Sequence, residues 1–217
     1  MQFNKSAKTI EEQITLLRSR GLIIPDEIKA RQYLSNISYY RLSSYMLPFQ
    51  RYNDQKHSFM PNTSFDNILN LYVFDRQLRL LIFDEIERIE IAFRCQIIYK
   101  YSLSGGNNWY EEIGYFYNAF HFNKFQVQVN SELSLSKEVF IQHYKTKYSS
   151  PVNPPAWMSL EILSFGQLSK MFKNLRTSAQ KKEIGNHFSI HHEVLNSWVE
   201  SLTYVRNLCA HHSRIWN

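Results

Sequence analysis

SFDNILNLYVFDRQLRLLIFDEIERIEIAFRCQIIYKYS, residues 64–102, runs without a proline or glycine. Its apolar Leu71, Phe74, Leu78, Ile82, Ile86, Ile89, Phe93 and Ile97 recur every three or four residues. That is the period of a helix with one apolar stripe turned to a core. Ser64 offers a hydroxyl to cap the start, and Gly105 and Gly106 end the pattern. Asp75 and Arg79, then Glu90 and Arg94, stand at i,i+4 away from the stripe, where opposite charges meet. The expectation for these four is a solvated, salt-bridged face. A helix of this length is the backbone of a bundle, so the fold class is all-α with one long central helix.

Working outward, Ile10, Ile14 and Leu17 share helical spacing, with Gly21 placed to end their helix. A second helix is expected from Asp26, after Pro25. Residues 37–46 are rich in tyrosine (Tyr39, Tyr40, Tyr45) and stop at Pro48; such density reads as core and interface packing. Helical patterns also flank residues 134–136 and cover residues 157–175 and 178–188. PVNPP, residues 151–155, is the one linker-like stretch and is too short to mark a domain boundary. Trp157, Glu161 and Trp216 read as aromatic anchors and one buried ion pair. No strand alternation or internal repeat is evident, so residues 1–217 read as a single all-helical domain.

Composition agrees. Apolar residues make up 44% and aromatics 15%, which excludes a disordered chain. A net charge of +6 permits a nucleic-acid partner without specifying one. Cys95 and Cys209 lie far apart within helical patterns, so no disulfide framework is expected. The start, MQFNKSAKTIEEQ, lacks the apolar core of a signal peptide. No apolar run approaches the ~20 residues that cross a bilayer. A cytoplasmic protein without membrane attachment is the expectation.

The last helix carries the chemistry. Over residues 193–212, Leu195, Trp198, Leu202, Val205 and Cys209 follow 3-4-3-4 spacing, a seam expected to pack on the core. His212 continues that seam and reads as a buried or interface histidine. At 100° per residue, Asn207 and His211 fall almost opposite, sharing an outer stripe with Asn196, Glu200 and Thr203, with Arg206 on its flank. Asn207 and His211 stand one turn apart, so their side chains can converge on one ligand, and Arg206 is long enough to swing its guanidinium toward the same place. The three supply a neutral donor, a group titrating near pH 7 and a permanent bidentate cation. Cleaving a phosphodiester through an RNA 2′-hydroxyl needs a proton acceptor, a proton donor and charge stabilisation, and none of these requires a metal. Taken alone, Arg-x4-His on a helix arises by chance, and a solvated helix face explains it as well.

RNLCAHHSRIWN, residues 206–217, closely resembles the closing motif of the Abi-like abortive-infection proteins, the AbiD and AbiF group. SYYRLSSYMLPF (residues 38–49) resembles that family's N-terminal tyrosine motif. Residues 71–94 resemble its long central helix. HYKTKY (143–148) and PPAWMSLEILSFGQLSKMFKNL (154–175) match in kind. The likeness covers nearly the whole chain in order. It implies a HEPN-like helical bundle whose Arg-x4-6-His motif serves a metal-independent endoribonuclease in phage defence, usually as a homodimer with two motifs facing. Mapped here, His211 is the general acid-base, Arg206 the phosphate clamp and Asn207 the orienting donor, with His212 auxiliary. RNA is implied as substrate or as a small noncoding partner, with an antitoxin or RNA as regulator. Arg214, Lys170 and Lys173 are candidates to track phosphates. Family members commonly run on past HHSRIWN, whereas the sequence given ends at Asn217.

Rival readings are a non-catalytic RNA- or protein-binding module and a metal site. For the second, His187 and His191 stand at i,i+4, His192 follows, and Cys209, His211 and His212 cluster. No paired-cysteine or HExxH pattern completes it, so no metal or other cofactor is expected. There is no phosphate-binding glycine loop, and SFGQLS (164–169) is not a nucleophile elbow; Gly166 reads as a helix start or a close backbone contact.

Overall fold

The computed structural model describes residues 6–216. Among them the chain is all-α, with ten helices and no strand. The helices are α1 (Ile10–Ser19), α2 (Glu27–Ile37), α3 (Tyr39–Met46), α4 (Phe65–Gly105), α5 (Ala119–Leu135), α6 (Val139–Lys147), α7 (Ala156–Ser159), α8 (Phe165–Asn174), α9 (Ala179–His187) and α10 (His192–Ala210). The expected long helix is α4. The chain divides into two compact units, Met1–Leu81 with His212–Asn217, and Ile82–His211. The divisions fall inside α4 and just beyond α10, not at PVNPP.

In the first unit, Thr9 and Glu12 close a capping box on α1, which ends at Gly21 with φ +88°, a left-handed turn that glycine adopts without strain. Asp26 caps α2 and Ser38 caps α3 through their side-chain oxygens. The core is built from Ile14, Leu17, Leu34, Leu42, Tyr45, Met46, Phe65 and Ile68. Asp75 and Arg79 correct the expectation of a solvated face: they are 0% and 5% exposed. Asp75 Oδ2 pairs with Arg79 and accepts the Tyr45 hydroxyl at 2.6 Å. Its Oδ1 accepts the main-chain N–H groups of Ile215 and Trp216 at 3.1 and 2.7 Å. Four partners offset the desolvation of this carboxylate, which is why it tolerates burial. It also fixes Trp216 through the backbone rather than the indole.

In the second unit, Phe93 of α4 packs edge-on against Phe172 at 5.0 Å and Phe165 at 6.2 Å, amid Ile97, Tyr101, Trp109, Leu168 and Val199. PVNPP is tied down: the Pro154 carbonyl accepts the hydroxyls of Tyr110 and Ser159, both at 2.7 Å. The expected helix over residues 157–175 is two helices, α7 and α8, separated by a turn. Arg94 explains the break. Its guanidinium donates to the carbonyls of Leu160, Glu161 and Leu163 at 2.7, 2.6 and 2.8 Å, oxygens that continuous helix would have used otherwise. Ser164 then restarts the chain with a capping box to Gln167. Gly166 is a close contact, since a Cβ there would lie 3.3 Å from Thr203 Cγ2 of α10. Trp157 is 48% exposed and Glu161 is exposed, so neither is the expected anchor or buried ion.

Lys181 of α9 is 4% exposed, donates to the Leu175 carbonyl at 2.6 Å and lies 5.0 Å from the Phe172 ring. Burial pushes its ammonium down to about 8, partly countered by Glu193. The fold therefore disfavours the charged form. Below pH ~8 that penalty is fully present, and it is relieved as pH rises through 8 toward the unfolded value, where the unfolded chain binds the extra proton. Urea midpoints should thus rise between pH 7.5 and roughly 9.5 in the wild type. Lys181→Met should flatten this rise and be the more stable protein at the lower pH.

Candidate active site

Helix α10 starts at His191, whose Nδ1 accepts the Glu193 amide at 3.4 Å. Its buried positions are His192, Leu195, Val199 and Cys209, with Leu202 and Val205 packed partly against the core. The expected seam is thus corrected at Trp198, which is 58% exposed; Val199 takes its place. At this position the buried stripe is rotated by one residue, on the helix whose Thr203 lies against Gly166 of α8. Asn196 and Thr203, expected on the outer stripe, are half-buried as a result.

That rotation draws Arg206 partly inward. Its side chain is 36% exposed, with Nε 3.8 Å from Glu90 Oε2 and the guanidinium carbon 5.7 Å from the centre of the Phe83 ring. Glu90 is itself held from the other side, its Oε1 accepting Arg94 Nη2 at 3.0 Å. Glu90 and Arg94 are 15% and 10% exposed as side chains, which corrects their expected place on a solvated face. The chain of contacts runs from the α7–α8 turn through Arg94 and Glu90 to Arg206. A cleft of about 390 Å³ opens here, lined by Phe83, Glu87, Glu90, Ile91, Arg94, Glu161 and Arg206. Three carboxylates against two guanidiniums make this cleft no cationic trough for phosphate.

Asn207 and His211 are exposed, one turn apart, the His211 amide donating to the Asn207 carbonyl at 3.0 Å. Among the described residues neither side chain has a hydrogen-bond partner in the structure. Beyond them His212 takes a left-handed backbone, φ +55°, and ends the helix. It is exposed, which overturns the expectation of burial and leaves that of an interface. Lys170 and Lys173 are exposed on α8, and Lys173 pairs with Glu200 at 2.8 Å. Arg214 belongs to the first unit and donates to the Ser44 carbonyl. Among the described residues no group of three or more His, Cys, Asp or Glu is placed to hold a metal. His187 and His191 are exposed whereas His192 is buried, and burial holds the His192 pKa below the usual histidine range. No helix among the described residues is long and apolar enough to cross a membrane. The sequence signal for Glu90 was weak, because an i,i+4 ion pair reads alike on an exposed and a buried face.

The structure defines an all-helical protein whose last helix presents an Arg-Asn pair and a histidine one turn on. The chain belongs to the Abi-like protein family, whose model matches residues 32–217. That membership supports a role in abortive infection, a form of phage defence. No curated protein and no solved structure matches it.

Arg206→Gln, Asn207→Ala and His211→Ala should each lower the unfolding free energy by less than about 1 kcal/mol, since their side chains are exposed or paired at long range. Urea titration with an unchanged slope checks this. A loss of several kcal/mol for any of them would mark that side chain as part of the scaffold.

Proposed function

We propose that this protein is a metal-independent endoribonuclease of the HEPN type, cleaving RNA in phage defence. The observation that carries the reading is the pair Asn207 and His211, exposed and unpartnered on the helix whose neighbouring Arg206 is braced by Glu90 and Phe83. In this mechanism the RNA 2′-oxygen attacks the adjacent phosphorus while an imidazole takes its proton. The bond from phosphorus to the 5′-oxygen breaks, and a protonated imidazole returns a proton to the leaving oxygen. Products are a 2′,3′-cyclic phosphate and a 5′-hydroxyl. Arg206 stabilises the charge that develops on the phosphorane oxygens, and the Asn207 amide orients one of them. One histidine acting as base and another as acid is met by two copies of the chain. Val194, Trp198 and Tyr204, 43%, 58% and 66% exposed on the same helix, supply apolar surface for that homodimer.

A second reading, a non-catalytic RNA- or protein-binding module, is favoured by the acid-rich cleft and by Glu90 already facing Arg206. One assay separates the two. Purified wild-type protein in EDTA should cut single-stranded RNA to ends bearing 2′,3′-cyclic phosphate. His211→Ala should lower the rate by at least ~100-fold, the scale of a lost acid-base group. Absence of cleavage across varied RNAs, or equal cleavage by the variant, would remove the nuclease reading.

A further inference from the structure

Most of the net positive charge of this protein lies in the first unit. The first unit holds 12 Lys and Arg against 7 Asp and Glu, whereas the second holds 13 against 12. Within the first unit the carboxylates are committed. Glu11 and Glu27 pair with Arg31, Glu27 also with Arg18, Asp66 with Lys29 and Asp75 with Arg79. Glu12, Asp26 and Asp54 accept main-chain N–H groups. Of the cations without a carboxylate partner in this unit, three contact α3 or belong to it. Arg20 donates to the Tyr39 hydroxyl at 2.8 Å, Arg41 to the His212 carbonyl at 2.8 Å, and Arg214 to the Ser44 carbonyl. All three acceptors are neutral, so each guanidinium keeps its full charge and, being a fork of five donors, has others to offer.

Tyr40 stands on the same short helix, one turn before Ser44 and beside Arg41. It is 88% exposed, and among the described residues nothing bonds its hydroxyl. The tyrosine-rich motif thus divides its labour. Tyr45 is 1% exposed and serves the buried Asp75 network, whereas Tyr40 serves nothing within the fold. An exposed aromatic ring on a short helix that also carries or contacts cations without carboxylate partners is the pairing that single-stranded nucleic acid uses. The rings stack bases and the cations follow the phosphates.

We propose that the face of α3 bearing Tyr40 and Arg41, with Arg214 on its far turn, binds single-stranded RNA, stacking one base and contacting two backbone phosphates. This deepens the nuclease reading and rests on its choice of RNA as ligand. Arg214 therefore moves from a candidate phosphate contact beside the histidine to one member of a separate site.

The experiment measures binding of a fluorescein-labelled 20-nucleotide single-stranded RNA of mixed sequence to the full chain by anisotropy, in the His211→Ala background so that cleavage does not intervene. Tyr40→Ala should weaken binding by roughly tenfold and Tyr40→Phe by less than about twofold, since the ring, not the hydroxyl, stacks. Arg41→Gln with Arg214→Gln should flatten the plot of log affinity against log salt by roughly 0.7 per lost phosphate contact. An unchanged unfolding midpoint confirms an intact fold in these variants. Unchanged affinity and salt slope in these variants, or no binding of RNA by the parent, overturns the proposal. So does a loss produced only by Lys170→Gln with Lys173→Gln. Tight binding that these variants weaken, with no cleavage by the wild type, upholds the surface and removes the nuclease reading alone.

Discussion

A guanidinium 8% exposed to water as a residue, Arg94, sets the local geometry on which the candidate site stands. Three main-chain carbonyls of the α7–α8 turn and the Glu90 carboxylate take its donors. Had the turn been helix, those carbonyls would have been satisfied by amides and Arg94 would have been an unaffordable buried charge. Because they turn toward Arg94 instead, α8 starts afresh at Ser164. Its first turn meets α10 at Gly166, and Glu90 is left with one oxygen facing Arg206. The orientation of Arg206 is therefore a consequence of packing several residues away from the motif that contains it.

Helix α4 uses the same device in the first unit. Asp75 and Arg79 share the i,i+4 spacing of Glu90 and Arg94, and both pairs bind main-chain groups distant in sequence: the amides of Ile215 and Trp216 in one case, the turn carbonyls in the other. Buried ion pairs add little net stability compared with apolar residues of equal volume. Their value here is specificity, because each accepts one chain path and leaves charges stranded in any other. Ile215 and Trp216 thereby acquire a structural role, with their backbone as the recognised part.

Two helix starts were legible in the sequence because capping is local: Asp26 and Ser64 are short acceptors next to periodic apolar runs. The outward position of Asn207 and His211 was legible too, since projection on a helix needs no tertiary information. Three other features were not. Trp198 and Val199 are adjacent and both apolar, and only the contact with α8 selects Val199 for the core. An opposite-charge pair at i,i+4 looks the same in sequence whether solvent or main-chain carbonyls surround it. Finally, the unequal spread of charge between the units depends on where the chain divides, within α4, at a place without a proline, glycine or change of composition.

The most direct test of this account is a double-mutant cycle on Arg94 and Glu90 followed by urea unfolding. Arg94→Met alone should cost about 3–5 kcal/mol, because it leaves three carbonyls unpaired and takes from the half-buried Glu90 carboxylate its nearer cation. Adding Glu90→Gln should recover ~1 kcal/mol or more relative to additivity, since the stranded charge is then gone. A cost below about 1 kcal/mol for Arg94→Met, with additive effects in the double variant, would contradict the claim that this buried guanidinium organises the site.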